Sequence, residues 1–255
     1  MRAAKILLSF VLLSGCREKT TALDGLPGDI LKLKDGKLKV HPIEHGTFGL
    51  ATADIVIYID PVGGAERFSK LPPADLVLVT DIHGDHLDAA TLKTFNKSRI
   101  IGPRVVADKL DFKIEILGNG KSTTFEDITI KALPMYNLTK SRLERHVKGR
   151  GNGYLLTMGG SRIYISGDTE DIPEMRSLKN IRAAFICMNL PYTMTVEQAA
   201  SAVNEFKPEV VYPFHYRGKD GFSDVKKFRD LVAAVNLDTD VRMLDWYREK
   251  KENNE

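Results

Sequence analysis

The chain has 255 residues, 43% of them hydrophobic and 28% charged, which is enough for one sizeable folded domain. Its formal net charge of +3 is small, and no basic stripe is interleaved with aromatics, which argues against a nucleic-acid-binding surface. The only concentrated charge lies in the final "REKKENNE", a solvated tail.

The chain opens with "MRAAKILLSFVLLSGC": a basic start (Arg2, Lys5), an apolar stretch from Ile6 to Leu13, and small residues before Cys16. The apolar stretch is far short of the roughly 20 residues that span a bilayer. It fits a secretory signal segment. "LSGC" resembles the bacterial lipobox, in which the cysteine is acylated and becomes the new N-terminus. The expectation is a signal peptide over residues 1–15 and a lipid anchor at Cys16. The protein would then sit on the periplasmic side of a bacterial cell envelope, touching membrane only through that anchor. Losing Arg2 and Lys5 would lower the formal charge of +3 by two, to +1. Cys187 then has no partner and no disulfide framework is possible. In "AAFICMN" it reads as a small buried hydrophobe.

Residues 16–36 are polar and glycine-bearing, and read as a tether whose later part packs on the domain. A single domain is expected over residues 37–250, with no internal repeat. "KLKVHPIEHG" and "TFGLATADIVIYID" alternate with period two and predict antiparallel strands. "DLVLVT" is continuously apolar and predicts a strand buried on both faces. "HLDAATLKTFN" and "RVVADKLDF" read as short helices. "EDITIKALPM", "GNGYLLTMGGSRIYISGD" and "AAFICMN" are further strands, with "MGGS" as a hairpin turn. "TVEQAASAVNEF" predicts a helix opened by a Thr195/Gln198 capping box. "EVVYPFH" is a strand, "SDVKKFRDLVAAV" a helix and "DVRMLD" a last strand. Strands first in runs, then alternating with helices, indicate an α/β (α+β) layered sandwich.

Several of these strands end in metal-ligand types. "TDIHGDHLD" after "DLVLV" holds Asp81, His83, Asp85 and His86. Asp168 follows "RIYISG", His215 follows "EVVYPF", and His146 lies in the loop "LERHVKGRGN". Side chains at strand ends converge on one rim of a sheet, where a rigid scaffold holds a site. Imidazoles and carboxylates together suit zinc, iron or manganese. A pair of divalent cations about 3.5–4 Å apart, sharing ligands, generates a nucleophile from water near neutral pH.

"TDIHGDHLD" resembles the metallo-β-lactamase superfamily motif T-H-x-H-x-D-H, and His146, "SGDTED" and "PFHYRG" match its later markers in order. "IEHGTFGLATADIVIYIDP" resembles the branch holding ascorbate-phosphate lactonases and the phospholipase D acting on N-acyl-phosphatidylethanolamine. The resemblance covers roughly residues 37 to 245 and implies a four-layer αβ/βα sandwich with a dinuclear centre. It implies that Asp81, His83 and His146 hold one metal, that Asp85, His86 and His215 hold the other, and that Asp168 bridges them. It also implies hydrolysis by a bridging hydroxide oriented by Asp85 or Asp168. Asp81 departs from the pattern, because the family usually has histidine there. Two divalent cations would then be balanced by three carboxylates and one hydroxide, and the harder oxygen ligand favours manganese or iron, with zinc still open.

Other residues point to substrate. His45 resembles a histidine at the rim of this branch's site; it contacts substrate or supports a ligand. Lys148 and Arg150 flank His146 and suit a phosphate or carboxylate. Tyr192 and Tyr216 are placed to line the cleft. The reading is a metal-dependent hydrolase of a small-molecule lactone, phosphodiester or other small ester. The alternative is a catalytically retired, metal-stabilised domain that binds a ligand or protein at the envelope.

Overall fold

The computed structural model describes residues 21–248, so the expected signal segment and Cys16 anchor, and the charged tail after Arg248, lie outside the described residues. Two seven-stranded sheets form the scaffold. The first places β1 (Asp29–Lys32), β2 (Lys37–Glu44), β3 (Thr47–Ala51), β4 (Val56–Ile59), β5 (Leu76–Leu78), β6 (Arg99–Gly102) and β7 (Glu115–Ile116) side by side. Its first three pairings are antiparallel and its last three parallel. The second contains β8 (Ser122–Phe125), β9 (Ile128–Met135), β10 (Gly151–Met158), β11 (Ser161–Ile165), β12 (Ala183–Cys187) and β13 (Val210–Phe214). A small hairpin of β14 (Arg217–Gly218) and β15 (Gly221–Phe222) follows, and β16 (Asp240–Val241) closes the second sheet's edge. The second sheet repeats the pattern of the first: three antiparallel pairings, then three parallel.

Alternation along the strands builds the layers. Ile57, Ile59, Leu76, Leu78 and Ile101 enter the core shared by the sheets. Their neighbours Tyr58, Val77, Val79 and Ile100 pack instead with Phe68, Leu92, Phe95 and Val106. Those come from, or directly follow, α1 (Ala65–Phe68), α2 (Ala89–Thr94) and α3 (Arg104–Ala107). Between the sheets Phe48 stacks on Phe185 at 4.6 Å and meets Trp246 edge-on at 5.6 Å. On the outer face of the second sheet Tyr164 meets Phe206 of α5 (Val196–Phe206), which runs with α4 (Pro173–Arg176) and α6 (Val225–Ala233). The result is helices, sheet, sheet, helices, the mixed α/β sandwich expected. The capping box is present: Gln198 N–H donates to Thr195 at 3.1 Å, and Thr195 N–H to Gln198 at 2.9 Å.

Two boundaries shift. β1 lies within the stretch read as a tether: Asp29 pairs with Val40, and Leu23 and Leu31 are buried. The folded unit therefore includes residues before Lys37. "DVRMLD" contributes only Asp240–Val241 to the sheet.

Candidate metal centre

The acids and imidazoles gather where the parallel strands end. Asp60 follows β4, Thr80 and Asp81 follow β5, Asp168 follows β11 and His215 follows β13. Open sheets place ligands at this end of their strands. The β2–β3 turn adds His45, and the β9–β10 loop adds His146. After β5 the carbonyl of His83 accepts from the backbone N–H of His86 (2.9 Å) and Leu87 (2.8 Å), folding "DIHGDH" into a turn. Asp88 ends that turn as the N-cap of α2, accepting from Ala90 and Thr91 N–H. His83 then faces His146, ring centroids 5.2 Å apart, and His86 stacks on His215 at 4.9 Å.

Two sets of donors result. In one, Asp81 Oδ2 is 2.5 Å from His83 Nδ1 and 3.8 Å from His146 Nε2. In the other, His86 Nε2 is 3.1 Å from His215 Nε2, which is 3.4 Å from Asp85 Oδ2. Asp168 faces both: Oδ2 lies 3.2 Å from His146 Nε2 and 3.5 Å from His86 Nε2, and Oδ1 lies 3.6 Å from His215 Nε2. Three triads here have donor atoms within 4.8 Å of one another: Asp81/His83/His146, His86/Asp168/His215 and His45/Asp85/His215.

Supporting residues fix these rings. His86 Nδ1 donates to Asp60 Oδ2 at 2.8 Å, which leaves its Nε2 lone pair facing the cluster. Asp60 is itself held by Thr80, whose N–H and hydroxyl donate at 2.7 and 2.6 Å. The Tyr247 oxygen accepts from the N–H of Tyr216 (3.1 Å) and Arg217 (3.0 Å). Both its lone pairs are then used, so its proton goes to His45 Nδ1 at 2.9 Å. His45 therefore carries its proton on Nε2, 3.3 Å from Asp85 Oδ2. His45, Asp60 and His215 all have left-handed backbones, φ 55°, 44° and 46°. Such strained non-glycine positions collect at functional sites. Gly46 is required beside them, because a Cβ there would lie 2.9 Å from His215 Cδ2. Glu170 anchors the His146 loop, accepting from the N–H groups of Leu138 and Thr139 at 2.7 Å each.

The electrostatics favour charged carboxylates. Burial alone would raise Asp168, but His215 and His86 beside it hold it well below the usual carboxylate range. Burial likewise opposes ionisation of Asp85, and hydrogen bonds from His215 and His45 outweigh it. Burial pushes His45 down to about 4. Asp81 Oδ1 and Asp168 Oδ1 are nonetheless buried without any hydrogen-bond partner. Lone pairs on buried carboxylates are costly unless a donor or cation meets them. A divalent transition metal fits this mixture of imidazole nitrogen and carboxylate oxygen.

Of the residues singled out in the sequence, Asp81, His83, Asp85, His86, His146, Asp168 and His215 come together, with His45 beside them. Arg150 also reaches in, its Nη2 at 3.3 Å from Asp81 Oδ2. Lys148 is engaged elsewhere, 3.1 Å from both Tyr136 Oη and Glu174 Oε1. Tyr192 lies under the Arg145 guanidinium at 4.9 Å, and Tyr216 packs edge-on against Tyr247 at 4.9 Å. Cys187 is buried, its thiol pushed up to about 12 by desolvation. Asp60, Glu170 and Tyr247 were not foreseen. Asp60 ends the apolar run "IVIYI" as Asp81 ends "LVLVT", so the strand-end rule applied one strand earlier would have found it.

The profile of the family described as "Beta-lactamase superfamily domain" matches residues 39–215. A solved structure of a candidate metal-dependent hydrolase from Parabacteroides distasonis is 38% identical, covers 87% of this chain and all of its own, and superposes with a TM-score of 0.79. The UPF0173 metal-dependent hydrolase of Pyrococcus abyssi is 28% identical over 77% of this chain and 92% of its own. Igni18, a metallo hydrolase from Ignicoccus hospitalis, shares the fold with a TM-score of 0.69 at 24% identity, over 82% of this chain and 95% of its own. The chain belongs to the metallo-β-lactamase superfamily, as a metal-dependent hydrolase of that fold.

Proposed function

We propose that this hydrolase uses two divalent cations to cleave a lactone, a phosphodiester or another small ester. The observation that carries the reading is Asp168, whose two oxygens face both donor sets at 3.2–3.6 Å. Asp81, His83 and His146 would hold one cation, and Asp85, His86 and His215 the other, with Asp168 shared. Manganese, iron and zinc all suit these donors. Bound there, the cations supply Lewis acidity and lower the pKa of water. The chain's own residues do the rest. Asp60 keeps His86 in the tautomer with a free Nε2. Tyr247 holds His45 so that its Nε2 lies 3.3 Å from Asp85 Oδ2, beside that carboxylate. Asp85 has 42% of its side chain exposed, so it stands on the open side where substrate and water enter. Asp85 would orient the attacking water from that side, while the buried Asp168 stays fixed. The retired binding domain is the weaker reading, because all seven donors are present and mutually positioned.

The test is hydrolysis of chromogenic phosphodiesters and lactones after loading with manganese, zinc or iron(II). Turnover should appear with at least one metal and vanish with a chelator. His83→Ala should abolish it, while Lys148→Ala should leave it unchanged. No turnover with any metal and any of these substrates would favour the binding domain.

For location, we propose a lipid-anchored envelope protein, resting on the signal-like start and Cys16. Cys16→Ser should move the protein from the detergent phase to the aqueous phase on temperature-induced partition. An unchanged partition would refute the anchor.

A further inference from the structure

Asp81 and Arg150 pair at the rim of the site, Arg150 Nη2 lying 3.3 Å from Asp81 Oδ2. β10 begins beside the end of β5, where Asn152 N–H donates to the Thr80 carbonyl at 2.9 Å. Gly151 allows that approach, since a Cβ there would lie 2.9 Å from the Thr80 oxygen. The residue before it, Arg150, is thereby delivered to Asp81. Its guanidinium has 18% of the side chain exposed and is tethered to the Arg145 carbonyl through Nη2, the same nitrogen that lies 3.3 Å from Asp81 Oδ2. Asp81 is fully buried, and its other oxygen, Oδ1, has no partner. The oxygen that faces the guanidinium, Oδ2, is also the one that faces His83 Nδ1 and His146 Nε2, so the carboxylate available to a metal there already has a fixed cation beside it.

We infer that Arg150 is the counter-charge of Asp81, so that the two together act on the neighbouring metal as a single neutral ligand and hold it less tightly than a free carboxylate would. The inference rests on the two-metal reading above and concerns only the position held by Asp81, His83 and His146. Arg150 is a positioning residue in this account; it touches no metal. The summed charge of positions 81 and 150 is zero in the natural chain. It becomes −1 in Arg150→Gln, +1 in Asp81→His, and zero again in Arg150→Lys and in the double variant Asp81→His/Arg150→Gln. A metal beside these positions should follow that order, because charges a few ångströms apart in a partly buried site interact strongly.

The experiment loads each variant with manganese or zinc and measures metal content by mass spectrometry, then the rate of metal loss to a competing chelator. Thermal unfolding checks that each variant folds. The natural chain should hold two metals, one lost more readily. Arg150→Gln should lose that metal more slowly, by at least about tenfold. Asp81→His should lose it at least about tenfold faster, and the double variant and Arg150→Lys should return to the natural rate. Faster loss from Arg150→Gln, or failure of the double variant to recover, overturns the inference, because a purely structural arginine predicts both. Fewer than two metals in the natural chain instead overturns the two-metal reading, and this inference with it. If Asp81→His or the double variant does not fold, Arg150→Gln against Arg150→Lys decides alone.

Discussion

Asp168→Ala is expected to lower kcat/KM by about 10³-fold or more, equivalent to about 4 kcal/mol at 1.36 kcal/mol per tenfold. Among the described residues, Asp168 is the one carboxylate within 3.6 Å of imidazoles from both donor sets: His146 in one, His86 and His215 in the other. Its loss removes a negative charge at the point where two cations would approach each other. The repulsion between them then goes uncompensated, and metal content should fall along with activity. Packing should change little, since the side chain lies at a rim and not in either apolar core. Steady-state kinetics on metal-loaded protein, with metal analysis on the same samples, checks this. An Asp168→Ala variant that keeps both metals and more than about a tenth of the activity would contradict the shared-ligand role.

Asp60→Asn is expected to separate folding from metal binding. The amide keeps nearly the shape of the carboxylate. Its oxygen still accepts from Thr80 N–H, which donates at 2.7 Å in the natural chain. The NH2 group then takes the position of Oδ2 and donates where that oxygen accepts from His86 Nδ1 at 2.8 Å. His86 can satisfy it only by moving its own proton to Nε2, which blocks the nitrogen that faces the cluster. Metal affinity should fall by about 10- to 100-fold, the usual effect of losing a partner behind a histidine ligand. Asp60→Ala should also unfold more readily, by about 3–5 kcal/mol, since buried donors on Thr80 and His86 lose their acceptor. Chelator competition and denaturant unfolding read the two effects. Equal metal affinity in Asp60→Asn and the natural chain would show that Asp60 supports only the fold.

The gathering of the donors was legible because it follows from a simple rule. An acid or imidazole placed just after an apolar strand lands on the rim, and Asp81, Asp168 and His215 each follow this rule. His83 and His86 follow from the tight turn after β5, and His146 from its loop. The supports were less visible. Asp60 reaches His86 only because β4 and β5 are neighbours in register, Tyr58 beside Val77. Tyr247 meets His45 across 202 residues of sequence, and no local pattern signals such a contact. Arg150 and Lys148 look alike in "HVKGR", yet Glu174 and the Tyr136 phenol draw Lys148 away, while Gly151 delivers Arg150 to Asp81. The short strands β1, β6, β7 and β8 were absent from the expectation, being too brief for period-two alternation to register. The repeated sheet topology left no sequence repeat, since strand pairing constrains only which positions are apolar.

The most direct test of the central claim is the metal content of the purified protein, measured by mass spectrometry after loading and desalting. Two divalent ions per chain are expected, and fewer in Asp168→Ala. A folded natural chain that binds fewer than two would contradict the two-metal centre.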